Sequence, residues 1–126
     1  MQAEDAIRCG AIVVDAVIGY GRRGVPQGRT TELVDLCNHH ALHALFLDIP
    51  SGFDATTGET RGAAVLAERT LTLTLALPKT GLRRVSGELY EADIGIPPEV
   101  YLPLVLSFDA LLPKGDWVRL NNEASL

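Results

Sequence analysis

The stretch that decides the fold runs from Ala11 to Gly24 and reads AIVVDAVIGYGRRG. Ala11–Ile18 is a near-continuous apolar run, the pattern of a strand covered on both faces. It opens into Gly19-x-Gly21-x-x-Gly24, a spacing that in dinucleotide-binding loops leads straight into a helix. Two features count against that use here. Asp15 interrupts the apolar run, and Pro26, Gln27 and Gly28 lengthen the loop, so that no helix starts before about Arg29 or Thr30. Asp48, the acidic end of the next strand, also lies further from Gly19 than that fingerprint usually allows. The glycines therefore read either as a wrapping loop, with Arg22 and Arg23 offering charge to an anionic ligand, or as a plain solvated tip. A dehydrogenase using this loop for its cofactor is set aside on the same grounds.

Outward from this stretch, Ala44–Ile49 (ALFLDI) is a second buried-type strand. Thr70–Leu77 (TLTLTLAL) alternates strictly, with either its threonines or its leucines inward, and Glu88–Ile94 is a weaker fourth strand. Between the first two, Leu33, Leu36, Cys37 and Ala41 fall on one helical stripe over Thr30–Ala44. Thr30 or Thr31 is the expected N-cap, and Glu32 suits the positive end of the helix. A second, shorter helix is expected over Gly62–Glu68. Strand–helix–strand order with such connections implies parallel crossovers, hence an α/β sheet with helices on its faces. Beyond Pro98 the text is punctuated by proline. It reads as a less regular tail (99–126) packing back through Tyr101, Leu104, Phe108 and Trp117.

The chain has 126 residues, enough for one domain with a real core. Eleven basic against sixteen acidic residues give a net charge of −5, which argues against a nucleic-acid binder. No apolar run approaches the roughly 20 residues that span a bilayer, and the polar, acidic N-terminus is not a secretory signal. Cys9 and Cys37 form no C-x-x-C pair. They fit two buried thiols in a reduced, cytoplasmic setting, or one disulfide.

Asp15 is the hardest residue to treat as ordinary. A carboxylate in a strand covered on both faces is costly unless it is hydrogen-bonded, paired or bound to a cation. It reads as an acceptor of backbone N–H groups or as a ligand of a cation or substrate. Asp48 closes the second apolar run and precedes Ile49-Pro50-Ser51-Gly52-Phe53-Asp54, where Pro50 and Gly52 pin a turn. Ligands of open parallel sheets bind beyond the carboxyl ends of the strands, where this loop emerges. Asp48 and Ser51 read as ligand contacts there or as turn caps. The stretch Asp54–Val65 fails as a calcium loop, because Val65 stands where the twelfth-position glutamate belongs, so Asp54 reads as an Asx turn. His39 and His43 have i, i+4 spacing, but no acidic or cysteine partner stands at ligand spacing, and the helix dipole alone favours imidazoles there.

The series VDAVIGYGRRG, LDIPSGFDATTGE, LALPKTGL and GELYEADIGIP, in this order, resembles the second half of the NAD(P)H-hydrate epimerases, the YjeF N-terminal domain family. The resemblance covers roughly Ala11 to Pro98, and LDIPSGFDATTGE is its most specific segment. It implies a Rossmann-like three-layer α/β/α sandwich with a mainly parallel sheet, a single domain over 1–126 lacking the family's N-terminal, glycine- and asparagine-rich portion. It implies epimerisation of the S and R forms of hydrated NADH and NADPH, a nicotinamide nucleotide repair. Asp48 is then the catalytic and substrate-contacting aspartate, and Gly19, Tyr20, Gly21, Arg22, Arg23, Gly24 and Val25 are the loop that embraces the substrate. Asp15 and Ser51 are two ligands of a potassium ion. The partners implied are NAD(P)H-hydrate, an NAD(P)H-hydrate dehydratase, fused or separate, and a second copy of the chain in a homodimer. A catalytically inactive homologue that binds nucleotide or protein is the alternative expectation.

Overall fold

A computed structural model describes residues 2–21, 24–60, 62–104 and 115–120. Arg22, Arg23 and Phe108 lie outside the described residues. Five strands form one sheet in the order β1 (Val13–Asp15), β2 (His43–Leu47), β3 (Arg69–Leu75), β4 (Glu88–Ala92) and β5 (Trp117–Leu120). The first four are parallel and β5 runs antiparallel to β4. Helix α1 (Ala3–Cys9) precedes β1, and α2 (Arg29–His40) crosses from β1 to β2. The α/β class and mainly parallel sheet are those the sequence implies.

Register explains which side of each strand is buried. Val13 pairs with Ala44, Phe46 with Thr72, and Thr72 with Leu89, so these residues share one face. On that face Val34 and Cys37 of α2 pack with Ala44, Phe46 and Val65, and Ile7 of α1 joins them. Burying Phe46 alone contributes about 1.5–3 kcal/mol. A second cluster gathers Ile49, Ala55, Leu82, Val85 and Leu89, with Leu82 and Val85 in or beside the 3-10 turn Thr80–Arg84. The alternation in β3 thus resolves with its threonines inward, since Thr72 and Thr74 are 0% exposed. The leucines of β3 lie with Val14, Leu47 and Trp117 on the opposite face, where Trp117 is 64% exposed. Both α1 and α2 belong to the first face, so the described residues contribute one of the two expected helical layers.

Several local expectations are corrected. Helix α2 begins at Arg29, with Gly28 rather than Thr30 or Thr31 at its N-cap, because Gly28 takes a positive φ of 61° that threonine would resist. Thr31 instead donates from Oγ1 to the Pro26 carbonyl at 3.0 Å. Val34, off the expected stripe, is the most deeply buried residue of the helix. His43 opens β2 rather than closing α2, so no helical i, i+4 pair with His39 exists.

Gly62–Glu68 is not helical. The Asn38 side chain donates to the Ala64 carbonyl at 2.9 Å and accepts from the Leu66 N–H at 2.7 Å, which holds this segment open. Helix α1 was absent from the sequence reading, although Glu4 and Asp5 in its first turn and Arg8 in its last suit the helix dipole. Strand β5 lies in what reads as an irregular tail. Tyr101 is buried there, while Leu104 and Trp117 are exposed. Cys37 is buried, and burial, with the charge of Asp15 second, pushes its thiol up; Cys9 is exposed.

Gly52 is the tightest backbone position. Its φ is 86°, and a Cβ there would collide with the Ala63 carbonyl oxygen. Gly52→Ala is expected to lower stability by about 1–3 kcal/mol from the backbone conformation alone, and by more from the collision. Urea denaturation checks this through a lowered midpoint at unchanged slope.

Candidate functional site

The carboxyl ends of β1 and β2 are tied together by one carboxylate. Asp15, 3% exposed, ends β1, where Oδ2 accepts the Ser51 N–H at 2.8 Å and Oδ1 accepts the Ser51 hydroxyl at 2.6 Å. The Val17 N–H reaches the same Oδ1 at 3.3 Å. Ser51 Oγ in turn accepts the Ile18 N–H at 3.0 Å, so the start of the glycine loop hangs from the loop after β2. Asp15 is thus an acceptor of backbone N–H groups, the first of its two expected readings.

Charge is the test of a cation here. A buried carboxylate normally has an opposite charge nearby, and among the described residues no lysine, arginine or histidine pairs with Asp15. The Asp15 and Ser51 oxygens are the hard donors that an alkali cation takes, so these residues fit such an ion in kind and in charge. His39 Nδ1 lies 2.6 Å from the Asp35 carbonyl within α2, and among the described residues no three His, Cys, Asp or Glu side chains gather as a metal centre.

The glycine loop and the loop after β2 enclose a cavity of about 450 Å³. Gly19, Tyr20, Gly21 and Gly24 form one wall; Gly52, Phe53 and Thr56 face them. Asp54 supports the second wall as the expected Asx turn, with Oδ1 accepting the Thr56 and Thr57 N–H groups at 2.9 Å each. Val25 is exposed beside this loop and does not line the cavity.

Asp48 stands apart from that wall, at the carboxyl end of β2 toward β3. Its φ of 72° is unusual for a residue other than glycine, and such conformations cluster at functional sites. Ala76 beside it shares the feature, with φ 65°. All side-chain contacts of Asp48 fall on Oδ1. The Leu75 N–H donates at 3.1 Å, the Thr74 hydroxyl at 3.4 Å, and the Lys79 ammonium forms a close ion pair. Lys79 is steadied by the Leu75 carbonyl at 2.9 Å and Thr74 Oγ1 at 3.3 Å. Asp48 Oδ2 has no hydrogen bond among the described residues. Sequence reasoning missed Lys79 and Thr74. Their signal lay in LALPKTGL, whose proline and lysine follow the carboxyl end of a strand, where ligands bind.

Glu91 on β4 was also missed. It is 2% exposed, its Oε1 has no partner among the described residues, and burial first, then the charge of Asp93, raise its pKa, with Lys79 opposing.

Comparison with known proteins identifies a family. The family model of the YjeF-related protein N-terminus matches residues 2–81. An NAD(P)H-hydrate epimerase of Dehalogenimonas lykanthroporepellens is 50% identical over 91 residues, covering 71% of this chain and 36% of that protein. One of Truepera radiovictrix is 33% identical over 107 residues, covering 85% and 48%. A bifunctional NAD(P)H-hydrate repair enzyme Nnr of Escherichia coli is 38% identical over 88 residues, covering 68% and 17%. The chain thus spans less than half the length of each of these relatives. Among the described residues no helix is long and apolar enough to cross a membrane.

Two outcomes are expected from these contacts. Ser51→Ala removes a donor to Asp15 and the acceptor of the Ile18 N–H, and should cost about 1–3 kcal/mol in urea denaturation. Glu91→Gln tests linkage. A carboxyl whose folded pKa is raised favours the fold only while protonated, and stability is lost as pH rises from its unfolded pKa through its folded one. The stability of the glutamine variant relative to the native chain should therefore grow from acid toward neutral pH, measured by thermal melts across that range.

Proposed function

The chain belongs to the family of the YjeF-related protein N-terminus, and on that premise we propose that it carries the reacting part of an NAD(P)H-hydrate epimerase. The observation that carries the proposal is the half-engaged Asp48 carboxylate. Three donors hold Oδ1, and Oδ2 has no partner among the described residues at the strand ends where ligands of parallel sheets bind.

Epimerisation of a hydrated nicotinamide requires its hydroxyl to leave and return on the opposite face. A proton delivered to the hydroxyl lets it depart as water with the C–O electron pair. The neighbouring ring nitrogen then shares its lone pair, giving an iminium-like cation. Asp48 Oδ2 is suited to deliver that proton, and the resulting carboxylate stabilises the cation. When water adds to the other face it gives up a proton and Asp48 regains one, so atoms and charge return to their starting balance. The anchored Oδ1 keeps the free oxygen in one place throughout, which favours catalysis by fixed orientation.

The cavity under the glycine loop would hold the rest of the nucleotide. Gly19, Gly21 and Gly24 let backbone approach a phosphate closely, and Tyr20 offers a ring at the mouth. Asp15 and Ser51 would hold a potassium ion, whose charge offsets the buried carboxylate and attracts phosphate. Repair of both epimers requires a dehydratase, and the bifunctional names of several relatives support its fusion or close partnership.

The test is conversion of the S form of hydrated NADH in the presence of a dehydratase specific for it. The native chain should accelerate conversion, and Asp48→Asn should reduce the rate by about 10²–10⁴-fold, the usual contribution of a general acid–base group. Native-like turnover by Asp48→Asn would remove Asp48 from the reaction. No acceleration by the native chain, with nucleotide still bound, would favour the inactive binding domain.

A further inference from the structure

The Lys79 ammonium has a second carboxyl within reach. Thr74, whose Oγ1 lies 3.3 Å from Lys79 Nζ, is the cross-strand partner of Glu91, and directly paired residues of adjacent strands lie about 5 Å apart on one face. Glu91 is thus one strand step from the ammonium that pairs with Asp48. It is buried, with an oxygen that no group among the described residues engages, which is costly for a carboxylate and less so for a neutral acid.

The charged groups that bear on Glu91 come from three elements. Asp93 lies just past the end of its own strand, Lys79 on the connection after β3, and Asp48 stands behind Lys79 at the end of β2. Strand β3 adds the neutral hydroxyls of Thr72 and Thr74, and β5 opposes Glu91 with Val118. Only Lys79 among these carries a positive charge.

We propose that Glu91 is a positioning residue for Asp48, acting through Lys79. Neutral Glu91 leaves the ammonium to Asp48, which is then held as described above. Ionised Glu91 draws the ammonium across Thr74 toward β4, so that Asp48 Oδ1 loses its strongest donor while the Leu75 N–H remains. Asp48 is then less fixed. The pair of carboxyls competing for one lysine makes the reacting aspartate responsive to pH through a residue that never touches substrate. Two acids sharing a cation titrate as a coupled set, so the ionisation of one is visible in the other.

This inference rests on the reading of Asp48 as the reacting carboxylate, but its first test does not require turnover. Carboxyl carbon resonances of the whole chain are followed by NMR from pH 4 to 9 in the native chain, Glu91→Gln and Lys79→Met. In the native chain the Asp48 signal should show a second inflection coinciding with that of Glu91, above the ordinary glutamate range. Glu91→Gln should abolish it, and Lys79→Met should move the Glu91 inflection further up. Superimposable Asp48 curves in the native chain and Glu91→Gln would overturn the proposal. If Glu91→Gln does not fold, an unmoved Glu91 inflection in Lys79→Met overturns it equally.

The second test is the pH profile of epimerisation, which should lose the inflection assigned to Glu91 in Glu91→Gln, with the rest of the profile retained. An unchanged profile would overturn the positioning role. Activity retained in Asp48→Asn would instead remove Asp48 from the chemistry and leave the NMR coupling to be judged alone.

Discussion

The fold around the site depends on a buried carboxylate with nowhere else to go. Asp15 sits at the end of β1, and its two oxygens are taken by the amide and hydroxyl of one serine on the loop after β2. Desolvating an acid is expensive, and charge-assisted hydrogen bonds are the strong ones that offset it. The requirement fixes Ser51, and Ser51 fixes Ile18, so one residue sets the separation of the two loops that wall the cavity. Gly52 completes the constraint, since the chain after Ser51 must turn against Ala63 with no room for a side chain. The cavity is thus a consequence of strand-end chemistry, and the glycine loop is suspended from it.

The strands were legible because they are short, apolar and bounded by turn residues, and α2 because its loop is stiffened by Pro26 up to Gly28. What period could not settle was direction. TLTLTL has no polar face that stands out, and only its pairing with Phe46 and Leu89 puts the threonines inside. The failed helix at Gly62–Glu68 is a different kind of miss. Local composition favoured a turn of helix there, but Asn38, from α2, supplies a donor and an acceptor that an open backbone can use. Tertiary hydrogen bonds outweighed a weak local preference. Strand β5 was hidden for the same reason, because antiparallel addition to β4 is a tertiary event with little signature in WVRL.

The candidate site divides in the same way. Asp15, Asp48 and Ser51 were legible, since acids and hydroxyls at strand ends in apolar text need an explanation. Lys79, Thr74 and Glu91 were not, because their meeting requires three strands in register. A lysine after a proline and a glutamate in an alternating strand both pass as solvated residues when read singly. Burial of Glu91, with an oxygen left over, is visible only once β4 has been placed between β3 and β5.

Two aspartates at the ends of adjacent strands have been given different work by what surrounds them. Asp15 is engaged through both oxygens and holds the two loops together. Asp48 is engaged through one, from a backbone of positive φ, beside the Lys79 ammonium. Environment, rather than residue type, separates the two carboxylates. The separation is economical in this fold because both lie on the carboxyl edge of one sheet. A ligand lying along that edge would meet the fixed charge and the movable one together.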